Sequence, residues 1–158
     1  MKRLIILCVT AILGAGAAVA SGTHAGGHEG EMAVGEPGKA SQAKRVIQVS
    51  MSETEDGKMI FHPPQIAVKT GETIRFVVKN SGSTDHEFVL DDHKGMMKHK
   101  ALMEKFPEME HADPNAVRLA PGEKGDVIWK FTKSGKFVFA CLIPGHLEAG
   151  MSGPIVVK

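Results

Sequence analysis

Three residues whose side chains can bind metals are spaced regularly near the end of the chain. They are Cys141, His146 and Met151, and a further histidine, His86, follows the polar sequence Ser83-Thr84-Asp85. A thiolate suits soft metal ions, and imidazole suits several transition metals. Two histidines and a cysteine with a weak axial methionine form the ligand set of mononuclear copper sites that transfer single electrons. The four residues together therefore predict a copper site of this kind.

Other uses of these residue types explain less of the pattern. A buried cysteine is commonly an inert core residue, and methionine often fills gaps in a core. Structural zinc usually takes more than one cysteine, or paired histidines on a helix, and the sequence around Cys141 provides neither. A Cys–His nucleophile is an alternative in principle, but the spacing matches no motif for one and leaves Met151 without a role.

The residues around these positions resemble a known family. The sequence Phe137-Val138-Phe139-Ala140 precedes Cys141, and Glu87-Phe88 follows His86. With the Cys-x4-His-x4-Met spacing, this pattern resembles the cupredoxins, the plastocyanin/azurin group of blue-copper proteins. The resemblance covers about residues 45–158, and within the family the chain looks most like the cupredoxin-like proteins of bacterial copper-resistance systems.

The resemblance implies a role for each of the four residues. His86, Cys141 and His146 would be the equatorial ligands of one type 1 copper, and Met151 the axial ligand. Asp85 departs from the Asn, Ser or Gly of many relatives, at a position whose backbone often contacts copper or the thiolate. The resemblance therefore predicts copper binding but does not fix the colour or the reduction potential.

A second group of histidines and methionines lies outside this motif. Both side chains are copper-selective donors, and the group predicts accessory, weakly held copper. Its members are His24, His28, His93, Met96, Met97, His99 and His111. The alternative is that Leu102, Met103 and Phe106 pack a helix on the sandwich, because these residues and His99 recur at helical spacing, and Pro107 would end that helix.

The rest of the pattern predicts the elements that position the site. Short segments of alternating polarity, separated by turn residues, are typical of strands in an antiparallel Greek-key β-sandwich. We predict an all-β, cupredoxin-like sandwich of seven or eight strands, interrupted by a short helical insertion over about 91–113. The strand segments are 45–51, 66–68, 73–79, 86–90, 126–131, 136–141 and 154–157.

The first twenty residues have the features of a secretory signal peptide. Lys2 and Arg3 precede the apolar run Leu4–Leu13, which is too short to span a bilayer, and Ala18-Val19-Ala20 is a small-x-small cleavage site. We therefore expect residues 1–20 to be removed and the protein to be periplasmic, without a membrane anchor.

The predicted cleavage also removes Cys8 and leaves Cys141 as the lone thiol of an exported protein. Such a thiol must pair with another molecule or be occupied by a ligand. After cleavage, residues 21–43 have the composition of a flexible, glycine- and histidine-rich tail. Residues 44–158 then form one domain of ordinary size.

Composition narrows the classes of function. The chain has 158 residues, 19 Lys and Arg, 18 Asp and Glu, and a net charge of +1. This balance excludes the strongly basic surface of a nucleic-acid-binding protein, and 42% apolar residues exclude a disordered acidic chain. We expect a monomer whose partners are the copper ion and a redox partner or a periplasmic copper-handling protein.

The function expected is copper handling or tolerance with one-electron Cu(I)/Cu(II) chemistry. The alternative is a dedicated electron-transfer shuttle between respiratory or oxidase partners. An enzyme such as a multicopper oxidase needs further copper centres, which adjacent Cys-His pairs would indicate. Leu142 follows Cys141 instead, so we expect no substrate turnover by this chain.

Overall fold

The computed structural model describes residues 32–106 and 113–158. These residues form ten β-strands, one α-helix and a short 3₁₀ turn. The predicted signal peptide and the candidate accessory residues His24, His28 and His111 lie outside the described ranges.

The strands alternate with short turns along the whole described chain. In chain order they are β1 Glu36–Pro37, β2 Arg45–Glu53, β3 Met59–His62, β4 Ile66–Val68, β5 Thr73–Asn80, β6 His86–Asp91, β7 Ala116–Leu119, β8 Lys124–Lys130, β9 Gly135–Ala140 and β10 Ser152–Val157. The helix α1, His93–Lys105, follows β6, and the 3₁₀ turn spans Ala40–Gln42.

Two five-stranded sheets face each other. One has the order β1-β8-β5-β2-β3 and the other β4-β10-β9-β6-β7. The all-β sandwich with a helical insertion is thus confirmed. Two strand pairs, β2–β5 and β4–β10, are parallel rather than antiparallel. The short strands β1, β3 and β7 add to the segments predicted from sequence.

Aromatic side chains fill the space between the sheets. Phe88 on β6 lies at the centre, with ring centroids 5.9 Å from Phe61, 5.5 Å from Phe76 and 5.8 Å from Phe139. Strand β5 shows how alternation builds this core, because Ile74, Phe76 and Val78 are buried while Arg75 and Lys79 face solvent.

Strand β6 is buried on both of its faces because α1 covers the outer one. Asp92 caps the helix by accepting a hydrogen bond from the amide of Gly95, and Met96 and Met103 are buried against Val89 of β6. These methionines are seven residues apart, which places them on one side of a helix. Within the described residues, no helix is long and apolar enough to cross a membrane.

The predicted packing face of the helix is partly wrong. Leu102 and Phe106 were expected to pack on the sandwich, but they are 38% and 54% exposed. The Met96–Met103 stripe faces the sheet, and the other two side chains are rotated away from it. The helix ends at Lys105, and residues 107–112 of the predicted insertion lie outside the described ranges.

Part of the predicted tail packs against the sandwich. Within the predicted tail, Val34 is fully buried and its carbonyl accepts a hydrogen bond from Trp129 Nε1 at 3.2 Å. Glu36 and Pro37 pair with β8. The glycine-rich composition predicts a flexible segment, but Val34 packs in the same core as Trp129, the single tryptophan of the chain.

The buried aromatic cluster gives a stability prediction. Phe88→Ala should lower the free energy of unfolding by about 3–5 kcal/mol, because it removes ring contacts and leaves a cavity. Phe106→Ala, the same change at an exposed site, should alter it by less than about 0.5 kcal/mol. Urea unfolding measures both. Equal losses in the two variants would contradict the packing described here.

Candidate metal centre

Three potential metal ligands from two distant parts of the chain meet at one end of the sandwich. The donor atoms of His86, Cys141 and His146 all lie within 4.8 Å of one another. His86 Nδ1 is 3.2 Å from His146 Nδ1, and Cys141 Sγ is 3.3 Å from His146 Nδ1. All three side chains are buried.

The first histidine is positioned by a buried asparagine. Asn80, at the end of β5, donates from Nδ2 to the carbonyls of Thr84, at 2.7 Å, and Leu119, at 2.9 Å. Its Oδ1 accepts the amide of Gly82 at 2.9 Å. These bonds fix the connection between β5 and β6, and His86 is the first residue of β6. The loop therefore holds the imidazole at the end of the sheet.

A carboxylate determines which nitrogen of His86 carries the proton. His86 Nε2 lies 3.0 Å from Glu53 Oε1. Burial opposes ionisation of Glu53, but hydrogen bonds from Thr84 and Ser83 outweigh it and lower the pKa to about 2. An ionised carboxylate only accepts hydrogen bonds, so Nε2 is the donor. Nδ1 then presents a lone pair to the other two ligands.

The cysteine follows β9 directly and is fully buried. Its Sγ accepts a hydrogen bond from the amide of Glu87 at 3.2 Å. Burial raises the pKa of the Cys141 thiol to about 12, although the amides of Glu87 and Ile143 act in the opposite direction. Without a cation the sulfur is therefore a thiol, and metal binding would have to displace its proton.

The residue after His86 is a buried glutamate, Glu87. The Glu87 side chain is buried, and its Oε2 has no hydrogen-bond partner in the described part of the chain. Burial raises its pKa to about 7, against a hydrogen bond from the amide of Leu142. Its Oε1 lies 4.0 Å from His99 Nε2 of α1. The helix thus approaches the side chain of the residue whose amide donates to Cys141.

The second histidine sits in a tightly folded loop between β9 and β10. The amide of His146 donates to Ile143 O, and the amide of Met151 donates to His146 O, each at 3.0 Å. Gly145 and Gly150 have φ of 89° and 95°, a conformation that favours glycine. Burial lowers the pKa of His146, and the nearby His86 lowers it further. Neutral imidazole is the form that binds metals.

Met151 lies beside the cluster. It is fully buried and packs in the same core as Cys141. Its carbonyl accepts the amide of Cys141 at 3.1 Å, so the backbones of the two residues are joined.

The three donors fit a transition-metal ion such as copper. Two imidazole nitrogens, each about 2.0 Å from one ion with an angle of roughly 105–120° between the bonds, are about 3.2–3.5 Å apart. The observed separation of 3.2 Å agrees with this arrangement. A buried thiol with two buried imidazoles is also the donor mixture that suits copper.

The accessory candidates on α1 lie in different surroundings. In the described ranges, no further group of three His, Cys, Asp or Glu donors could hold a metal. Met96 is buried in the contact between helix and sheet, so it serves packing. His93 and Met97 are exposed on α1, whereas His99 is largely buried and faces Glu87.

Sequence reasoning missed two features of the site. The amide that reaches Cys141 belongs to Glu87, whereas the side chain of Asp85, the residue before His86, lies 3.2 Å from Arg118 at the surface. Glu53 was missed because it stands 33 residues before His86, with no motif around it. Only the alignment of β2 with the β5–β6 loop brings them together.

Fold and cluster together define a class: a β-sandwich with a His-Cys-His group that could hold one metal ion. The sequence matches the family described as copper binding proteins, plastocyanin/azurin family, over residues 48–158. The chain belongs to this family, as its motif predicted.

Individual relatives support this family assignment. The chain is 45% identical to the copper-resistant cuproprotein CopI of Rubrivivax gelatinosus over 163 residues, which cover 99% of this chain and 96% of the relative. It is 36% identical to CopI of Pseudomonas aeruginosa, covering 96% and 94%. Among solved structures, auracyanin of Roseiflexus castenholzii superposes with a TM-score of 0.61 at 22% identity, covering 73% of this chain and 98% of auracyanin.

The protonated, buried thiol leads to a prediction about reactivity. At pH 8 the metal-free folded protein should react with iodoacetamide at Cys141 about 1,000-fold more slowly than the unfolded protein, since only the thiolate is nucleophilic. Mass spectrometry of the peptide containing Cys141 follows the reaction. Equal rates before and after unfolding would contradict the burial and raised pKa.

Proposed function

We propose that the protein is a periplasmic copper-handling protein that confers copper tolerance. His86, Cys141 and His146 bind one copper of type 1, with Met151 as the weak axial ligand. The observation that carries this proposal is the convergence of a buried sulfur and two imidazole nitrogens within 4.8 Å.

Each ligand contributes a different property. Bound copper supplies a one-electron Cu(I)/Cu(II) couple. The thiolate favours Cu(I), and the imidazoles suit both oxidation states. The hydrogen bonds that fix the loops keep the donors in place, so little rearrangement accompanies electron transfer. Burial of all three side chains limits access of water.

Copper tolerance is favoured by the relatives and by donors outside the centre. The two CopI proteins are named copper-resistant cuproproteins and align with nearly the whole chain. Exposed His93 and Met97, together with His24, His28 and His111, would hold additional copper weakly. The predicted signal peptide would place these donors in the periplasm.

Electron transfer to a protein partner is the second candidate. The loop around His146 carries Pro144, which is exposed, and Ile143 and Leu147, which are half-buried. An apolar rim over a buried ligand suits the small interfaces of brief redox encounters. Turnover of a substrate is not part of the proposal, because Leu142 stands where an adjacent histidine would connect to further copper centres.

The ligand assignment predicts a loss of colour. Cu(II) added to the wild type should produce intense thiolate-to-copper absorption, and Cys141→Ser should abolish it because serine supplies no thiolate. Met97→Leu, which removes an exposed thioether, should keep the colour. Absorption during Cu(II) titration measures all three, and colour that persists in Cys141→Ser would refute the assignment.

Growth experiments separate tolerance from electron transfer. In the source organism, deletion of the gene should reduce growth at raised copper, and wild-type protein, but not Cys141→Ser, should restore it. A deletion strain as copper-tolerant as its parent would contradict the tolerance proposal. One copper per chain in the same titration would then favour the electron shuttle.

A further inference from the structure

Glu53 connects the sheet opposite His86 to the proposed copper ligand. It is the last residue of β2, whereas His86 begins β6 in the other sheet. Its Oε1 lies 3.0 Å from His86 Nε2, the ring nitrogen that faces away from Cys141 and His146. The contact therefore reaches the metal cluster only through the imidazole ring.

Four hydrogen-bond donors converge on this carboxylate. The amide of Ser83 donates to Oε2 at 2.9 Å. The amide and the hydroxyl of Thr84 donate to Oε1 at 3.1 Å and 2.7 Å, and His86 Nε2 is the fourth donor. A carboxylate without a proton accepts all four bonds, whereas a carboxylic acid would have to donate one. The surroundings of Glu53 are thus built for an anion.

The backbone makes room for the anion at Gly82. A Cβ at this position would lie 2.4 Å from Glu53 Oε2 and 2.8 Å from Oε1. A Cβ at these distances would push the carboxylate out of its present position. Glycine therefore lets the loop close over the carboxylate while the next two amides point at it.

We propose that the Glu53 carboxylate is an anionic positioning partner of His86 that strengthens this imidazole as a ligand and biases the centre towards Cu(II). This inference rests on the proposed copper site. Carboxylate–histidine–metal arrangements orient the ring and raise the basicity of the ligand. A more basic nitrogen stabilises the more highly charged ion, so the reduction potential is lower than a neutral acceptor would give.

The geometry supports a role in tuning as well as in positioning. A backbone carbonyl in place of Glu53 would orient the ring but would bring no negative charge. The carboxylate brings a full charge to within hydrogen-bonding distance of the ring, and its side chain is only 22% exposed. Solvent therefore screens the charge incompletely.

Glu53→Gln tests the charge with the shape retained. The glutamine oxygen can still accept a hydrogen bond from His86, so the variant should fold and bind copper. Its affinity for Cu(II) relative to Cu(I) should fall about 10- to 100-fold. For a one-electron couple, this corresponds to a rise of about 60–120 mV in reduction potential. Voltammetry of the copper-loaded protein measures the shift.

Glu72→Gln is the matched control. It makes the same substitution at a carboxylate that pairs with Arg45 in the turn before β5 and is not in contact with His86. The reduction potential of Glu72→Gln should change by only a small fraction of the shift in Glu53→Gln. Equal shifts in both variants, or no shift in Glu53→Gln, would overturn the proposal.

A metal-free measurement keeps this inference separate from the proposed function. Long-range ¹H–¹⁵N NMR of the wild type without copper should show the tautomer of His86 with its proton on Nε2, and Glu53→Ala should lose that preference. A proton on Nδ1 in the wild type would overturn the inference even if copper binds. The expected tautomer in a protein that takes up no copper would support the pair but refute the proposed function.

Discussion

One hydrogen bond joins the two parts of the chain that supply the cluster. The amide of Glu87, next to His86, donates to Cys141 Sγ at 3.2 Å. It ties the start of β6 to the end of β9, two neighbouring strands of one sheet. The pairing of Val89 with Ala140 in the same two strands acts together with this hydrogen bond, and the two contacts hold the imidazole of His86 and the sulfur of Cys141 in a volume that one ion could fill.

Hydrogen-bond partners in the surrounding structure offset the unfavourable burial of these polar groups. A thiol and two imidazoles in an apolar core are unfavourable unless each finds a partner. Glu53 is a partner for His86, and the amide of Glu87 is a partner for Cys141. Asn80 fixes the loop between β5 and β6, which leads into His86. The cluster is thus part of a hydrogen-bonded network that spans both sheets, and a metal ion would occupy the place where their lone pairs converge.

The sequence predicted the features that are local along the chain. Cys141, His146 and Met151 lie within eleven residues, so their spacing could be read directly, and β-strand periodicity indicated the sandwich. Other features depend on how distant strands align. Nothing near Glu53 marks it as a partner of His86, and burial of Val34 depends on the position of Trp129, 95 residues away. The packing face of α1 was misjudged because its apolar residues allow two stripes.

X-ray absorption spectroscopy of the copper-loaded full chain tests the central claim most directly, because it reports the atoms bound to the ion. The account predicts a mononuclear copper with one short bond to sulfur and two bonds to imidazole nitrogen. A spectrum with oxygen and nitrogen neighbours only, or with a second copper at close range, would contradict it.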